Sequence, residues 1–450
     1  MGIEQAATSP CGCEEHEQVG LSRRHLFRLT AAAGLVTATT AHNARVAFGA
    51  TPTTPSPTGT TTATTLGTTT GVRPAASTAD VLVVLSLRGG FDGLSAIVPA
   101  ADPNYSRARP GIGVPASSLK KVDATFGLAP GLKALYPLWD AGSLAAIHAV
   151  GQQDPTRSHF EAMAEMERAA PGSSTRTGWL DRSIGMLGGT DAFAGAQVGN
   201  TTMPASLYGE HGKFAVASLK DIKIGVGEDL VPVSAWSRSI AQLHAGARPD
   251  LVRPTGEAIA AVGKLKTLPA SVEATAAGYP AGELGGALHD VARLIKANLG
   301  LRFATVDMGN FDMHQNLGGA TSGWMFNQLT ELSGALAAFA KDLGPDFDRV
   351  VLVTLSEFGR RVTQNGSGGL DHGHGNAVLL LGGGVNGGKV YGRWPGLTPA
   401  ALDSGDLAVT TDYRSVMAEI LTRRCAISGV NQVFPGYQAA DLGLVKARAA

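Results

Sequence analysis

Five short apolar runs recur along the chain, over residues 81–87, 143–150, 302–308, 349–356 and 377–383. None alternates strictly between apolar and polar positions. A strand that is apolar on both sides belongs in a sheet covered on each face, so these runs predict buried strands of a largely parallel sheet. Between them, apolar residues recur with a helical period over 158–170, 285–299, 322–343 and 412–424. In the last of these, Tyr413, Val416, Met417, Ile420 and Leu421 form one stripe, and Thr411 or Asp412 stands where a cap belongs. Alternation of the two kinds of element predicts an α/β/α sandwich with a mostly parallel central sheet. Residues 185–280 lack this rhythm and read as loop-rich, with some strand.

Ahead of Asp80 the pattern lapses. Residues 51–79 are nearly all Thr, Pro, Ala, Gly and Ser, a composition that cannot bury a core and predicts a flexible spacer. Within residues 1–50, Ser22, Arg23, Arg24, Leu26, Phe27 and Arg28 precede a mildly apolar run rich in Ala and Thr. This resembles a twin-arginine export signal, with Ala47 and Gly49 offering a small-x-small cleavage site. The run is too short and too polar for a permanent membrane anchor. The expectation is one exported domain, over residues 80–446, in the periplasm or outside the cell. Export in the folded state suits a protein that loads a metal beforehand.

Composition narrows the function further. The chain is 44% hydrophobic and 16% charged, as globular proteins are. Its 37 basic and 37 acidic residues cancel, which gives no footing to a nucleic-acid partner. Cys11 and Cys13 precede the signal, leaving Cys425 with no disulfide partner.

In an open α/β sheet, sites form beyond the carboxyl ends of the strands. The segments that follow the predicted strands carry Arg88 and Asp92; Asp154, Thr156, Arg157, Ser158 and His159; Asp312 and His314; and Glu357. A glycine-rich loop adds Asp371, His372 and His374, and in extended chain residues at i and i+2 point the same way. Asp312 and His314 repeat that spacing, which suits metal ligation, although an Asp–His hydrogen bond would also account for it. Ser158 and Glu161 form a capping box, while a serine at a helix N-terminus also lies in a positive field that suits a nucleophile. Glu357 could instead pair with Arg360 or Arg361, and Arg88 with Asp92. The segment 383–390 only approaches a P-loop, since Val390 stands where Ser or Thr is required. Neither a G-x-S-x-G elbow nor an H-E-x-x-H pair is present.

The strings LRGGFDGLSAIVP, DPTRSHFEAM, GNFDMH, LSEFGRRVTQNGSGGLDHGHGNAVLLLGGGV and TTDYRSVMAEIL together resemble the DUF1501 family of exported bacterial proteins, over about residues 80–445. That family is similar in fold to the alkaline phosphatase and sulfatase superfamily. The resemblance implies a phosphate- or sulfate-ester hydrolase with one or two divalent ions, zinc or manganese. It implies Asp92, Asp312, His314, Glu357, His372 and His374 as metal ligands. Ser158, or else Thr156, would be the nucleophile, with Arg157 and Arg88 holding the nonbridging oxygens. Phe358 follows Glu357 where alkaline phosphatases place a histidine, which leaves a second ion short of ligands. Gln153 occupies the position of the sulfatase nucleophile, which rules out formylglycine chemistry. The substrate would be a small-molecule or polymer ester. The alternative is a non-catalytic secreted protein that keeps the fold and binds a cell-surface polymer or an exported protein partner.

Overall fold

A computed structural model of the chain describes residues 46–48, 79–153, 156–189, 191–221, 233–244, 256, 259–265, 268 and 272–448. Apart from residues 46–48 and 79, the expected export signal and spacer lie outside the described residues, as does Asp154.

The main sheet contains β1 (Val46–Phe48), β2 (Val81–Leu87), β3 (Leu144–Gly151), β4 (Gly195–Val198), β5 (Lys213–Val216), β6 (Phe303–Met308), β7 (Val350–Leu355) and β8 (Asn376–Gly382). Two-residue strands β9 (Val390–Tyr391) and β10 (Thr411–Asp412) pair with β3. The order is β1-β5-β4-β6-β2-β7-β8-β3-β9. Strand β8 runs antiparallel to both neighbours, and β1 runs antiparallel to β5. All other pairs are parallel.

Every residue of β2, β7 and β8 is buried, which is why their sequences do not alternate. Helices α1 (His159–Arg168), α2 (Trp179–Met186), α3 (Glu283–Ala297), α4 (Trp324–Leu343) and α5 (Tyr413–Arg423) cover the sheet. Alternate residues of β2 feed two separate cores. Val83 and Leu85 join Leu288, Val291, Leu332 and Phe339 from α3 and α4. Leu82 and Val84 join Leu180, Ile184, Val416, Met417 and Ile420 from α2 and α5. The fold is therefore the α/β/α sandwich that the alternation predicts. Among the described residues, no helix is long and apolar enough to cross a membrane.

The stretch over 185–280 contributes β4 and β5 to the main sheet. Each is four residues long and carries Gln197 or Lys213 among its buried positions, so neither shows as an apolar run.

The polarity of the strands positions the chemistry. The carboxyl ends of β2, β3, β6 and β7 lie at one edge. Because β8 is reversed, the residues ahead of its amino end, not those after it, reach that same edge. Leu352 of β7 is fully buried at the centre of the sheet. Leu352→Ala is expected to lower the unfolding free energy by about 2–5 kcal/mol, read from denaturant titration, through lost transfer energy and the cavity left behind.

Candidate metal centre

The loops after β2 and β6 approach each other at backbone distance. Gly89 has φ +108°, and a Cβ there would stand 2.7 Å from the Asp312 nitrogen, so only glycine fits. Beyond β6, Asn310 takes a left-handed turn at φ 67°, after which Asp312 and His314 follow. Helix α1 begins at His159, capped by Ser158. The segment that leads into β8 carries Asp371 and His372.

These elements set three imidazole Nε2 atoms around one carboxylate oxygen. Asp312 Oδ1 lies 3.0 Å from His314 Nε2, 3.2 Å from His372 Nε2 and 3.5 Å from His159 Nε2. His314 Nε2 and His372 Nε2 are 3.0 Å apart. Ligand atoms of His159, Asp312 and His372 all lie within 4.8 Å of one another. A tetrahedral ion bound at 2.0–2.1 Å separates its ligand atoms by about 3.3 Å, close to the distances from Asp312 Oδ1 to His159 and His372, while His314 flanks that trio.

The outward-facing nitrogens explain why the inner ones converge. His159 Nδ1 is 2.7 Å from Glu357 Oε1, and His314 Nδ1 is 3.1 Å from Asp371 Oδ1. His372 Nδ1 lies 2.8 Å from the Arg157 carbonyl. A carbonyl or an ionised carboxylate can only accept, so each Nδ1 carries a proton and each Nε2 is the atom turned into the cluster. This is how metal-ligating histidines are held by their outer partners. His159 Nε2 is buried and has no hydrogen-bond partner. An Nε2 facing a carboxylate oxygen there holds either a proton or a cation, and once its proton leaves, the nitrogen-rich donor set fits a divalent metal.

The electrostatics set a proton against that cation. Burial would lower the His159 imidazole, but the carboxylates of Asp312 and Glu357 carry it up to about 9. Burial opposes ionisation of Asp312, yet His159, His372 and Arg360 around it hold its carboxyl well below the usual carboxylate range. Glu357 is likewise held low, by His159 and the Gly89 amide, against its burial. The pocket is open: the Asp312 side chain is 49% exposed.

Of the six carboxylates and histidines expected as ligands, Asp312, His314 and His372 converge. Glu357 acts one step out, on His159. His374 is a correction: its Nε2 meets the Gln152 carbonyl at 2.8 Å, and its Nδ1 stands 3.5 Å from Asp403 Oδ2. Asp92 is another. It is 3% exposed, and both its oxygens are taken by Arg109, at 2.5 and 3.0 Å.

The expected oxyanion holders are also occupied elsewhere. Arg88 binds Asp307 at 2.6 Å and Glu167 at 3.0 Å, not Asp92. Arg157 binds Asp406 at 2.7 Å. Thr156 donates to Glu161 at 3.0 Å, away from nucleophile duty. Ser158 caps α1, accepting from the Glu161 amide at a long 3.5 Å. His159 stood among the residues past the third strand but outside the expected ligand set. Its place directly after the capping serine, in the first turn of α1, was the available signal.

The family described as "Protein of unknown function (DUF1501)" matches residues 79–423. No curated protein matches the chain. Solved structures similar to it include the PsFucS1 sulfatase from Pseudoalteromonas sp., at 12% identity and TM-score 0.36, covering 83% of this chain and 74% of that one. The C-terminal periplasmic domain of EcEptC from Escherichia coli, in complex with Zn, is similar at 10% identity and TM-score 0.32, covering 68% and 74%. An alkaline phosphatase from the Antarctic bacterium TAB5 is similar at 10% identity and TM-score 0.26, covering 70% and 95%.

The reassignment of Asp92 has a measurable consequence. Asp92→Ala leaves the fully buried Arg109 without its counter-charge, so it is expected to cost about 3–5 kcal/mol in denaturant unfolding. Metal content per folded molecule should stay at the wild-type level.

Proposed function

The chain belongs to the DUF1501 family of proteins of unknown function, and we propose that it is an exported hydrolase of phosphate or sulfate esters dependent on one divalent ion. The observation that carries this reading is the convergence of three imidazole Nε2 atoms and Asp312 Oδ1, each imidazole fixed from behind by its own acceptor. A nitrogen-rich set favours zinc over manganese, and either over calcium, whose sites prefer oxygen ligands. When bound there, the ion would polarise an ester oxygen and favour the ionised form of a neighbouring hydroxyl. The Ser22-Arg23-Arg24 signature supports export to the periplasm or beyond.

The chain's own residues supply the rest. Ser158 directly precedes the His159 ligand, at the start of the ten-residue α1, where free backbone amides favour negative charge. Its hydroxyl is held only by the 3.5 Å contact to Glu161 N, which leaves Oγ available. In the reaction proposed, the bond from Ser158 Oγ to phosphorus or sulfur forms as the bond to the leaving alcohol breaks. Water then cleaves the serine ester and restores the hydroxyl. Glu357 orients His159 throughout.

Elemental analysis of purified wild-type protein is expected to give one ion per chain, lost by at least tenfold in His159→Ala and in His372→Ala. Ser158→Ala should keep the metal and lose ester turnover by about a thousandfold or more. A metal-free wild type, or a Ser158→Ala variant as active as wild type, would sink this mechanism. Stoichiometric metal with no ester turnover would favour a secreted binding protein with an exported partner.

A further inference from the structure

Arg360 and Arg361 are adjacent and chemically identical, yet their surroundings differ completely. Arg361 is on the surface side, donating to the Ser404 carbonyl at 2.6 Å. The Arg360 side chain is 1% exposed and lies directly behind the metal centre. Its Nε donates to the Gly90 carbonyl at 2.8 Å and its Nη1 to the Leu370 carbonyl at 2.9 Å. Its Nη2 reaches the carbonyls of Gly89 and of Phe311, the latter at 3.0 Å, and Asp312 Oδ1 at 2.6 Å.

We propose that Arg360 is a positioning residue that builds the metal centre by clamping Asp312 and the loops around it with one buried guanidinium. The proposal rests on the metal reading above. The acceptors come from three segments: residues 89–90 after β2, 311–312 after β6, and 370 ahead of β8. Arg360 itself follows β7. Four strand ends are therefore joined through a single planar group.

The same group fixes the ligand. Asp312 is half-exposed, and such a carboxylate would otherwise rotate freely in solvent. The charge-assisted bond from Arg360 aims Oδ1 at His314 and His372 instead. A lysine could supply the charge but not the planar fork that spans separate carbonyls. The surroundings make room for that fork: a Cβ on Gly90, where φ is +71°, would lie 3.0 Å from Arg360 Nε and 2.8 Å from the Phe358 ring. His314 Nε2 lies 3.5 Å from Arg360 Nη1, so the clamp flanks a second ligand as well.

The test is zinc affinity, by competition with a chromophoric chelator, for wild type, Arg360→Gln and Arg360→Lys. Cobalt(II) absorption and thermal melting are recorded on the same samples. Arg360→Gln is expected to raise the zinc Kd about 10- to 100-fold. Its cobalt bands should weaken as the four-coordinate geometry loosens. Arg360→Lys should fall between Gln and wild type, because charge returns without the fork, and it decides the matter if Arg360→Gln fails to fold. Zinc Kd and cobalt spectra unchanged in the folded variants, however far the melting temperature drops, would overturn the proposal and leave Arg360 purely structural. A wild type that takes up no zinc brings down the metal reading itself, and the clamp with it.

Discussion

Like donors crowd one another, and the centre of this molecule holds three imidazole Nε2 atoms against a single carboxylate oxygen. His159, His314 and His372 cannot turn away, because each is pinned through its other nitrogen to Glu357, Asp371 or the Arg157 carbonyl. Those pins in turn depend on where strands stop. Glu357 sits two residues past β7, Asp371 and His372 sit ahead of β8, and His159 opens α1 shortly after β3. A shift of any one strand by a residue would turn its side chains to the opposite face and dissolve the cluster. The sheet is the device that keeps an unfavourable arrangement together.

Much of that sheet is legible in the chain. The buried strands announce themselves because a strand covered on both faces must be mostly apolar without alternation, and β2, β3, β6, β7 and β8 all are. β4 and β5 escape notice for a physical reason: four residues are too few to make a run, and Gln197 and Lys213 interrupt them. Lys213 is buried only because Asp181 meets it at 2.7 Å, a partner more than thirty residues distant that no local pattern reveals.

The site was legible only in part, and the two Phe-Asp pairs show why. Phe91-Asp92 and Phe311-Asp312 follow neighbouring parallel strands, and their rings pack edge to face at 5.3 Å. Each aspartate has an arginine against it. Arg109 approaches Asp92 from within the core and takes both oxygens, which seals it. Arg360 approaches Asp312 from behind and leaves its outer side to the histidines and solvent. Sequence gives the same two letters in both places. What separates a structural ion pair from a ligand is the side from which the cation arrives, and that is settled by tertiary packing. His159 and His374 differ in the same way: each keeps one buried nitrogen without a hydrogen bond, but only that of His159 faces the cluster, while His374 spends its Nε2 on the Gln152 carbonyl.

The reversed course of β8 makes its two flanking loops unequal. Lengthening or reshaping the segment that leads into Asn376 would alter the set of donors in the cluster, and with it what the cluster is able to hold. Changes after Gly382 fall on the far rim of the sheet, where no part of the centre is built. Diversity among relatives should therefore gather on one side of this strand as altered chemistry and on the other as harmless decoration.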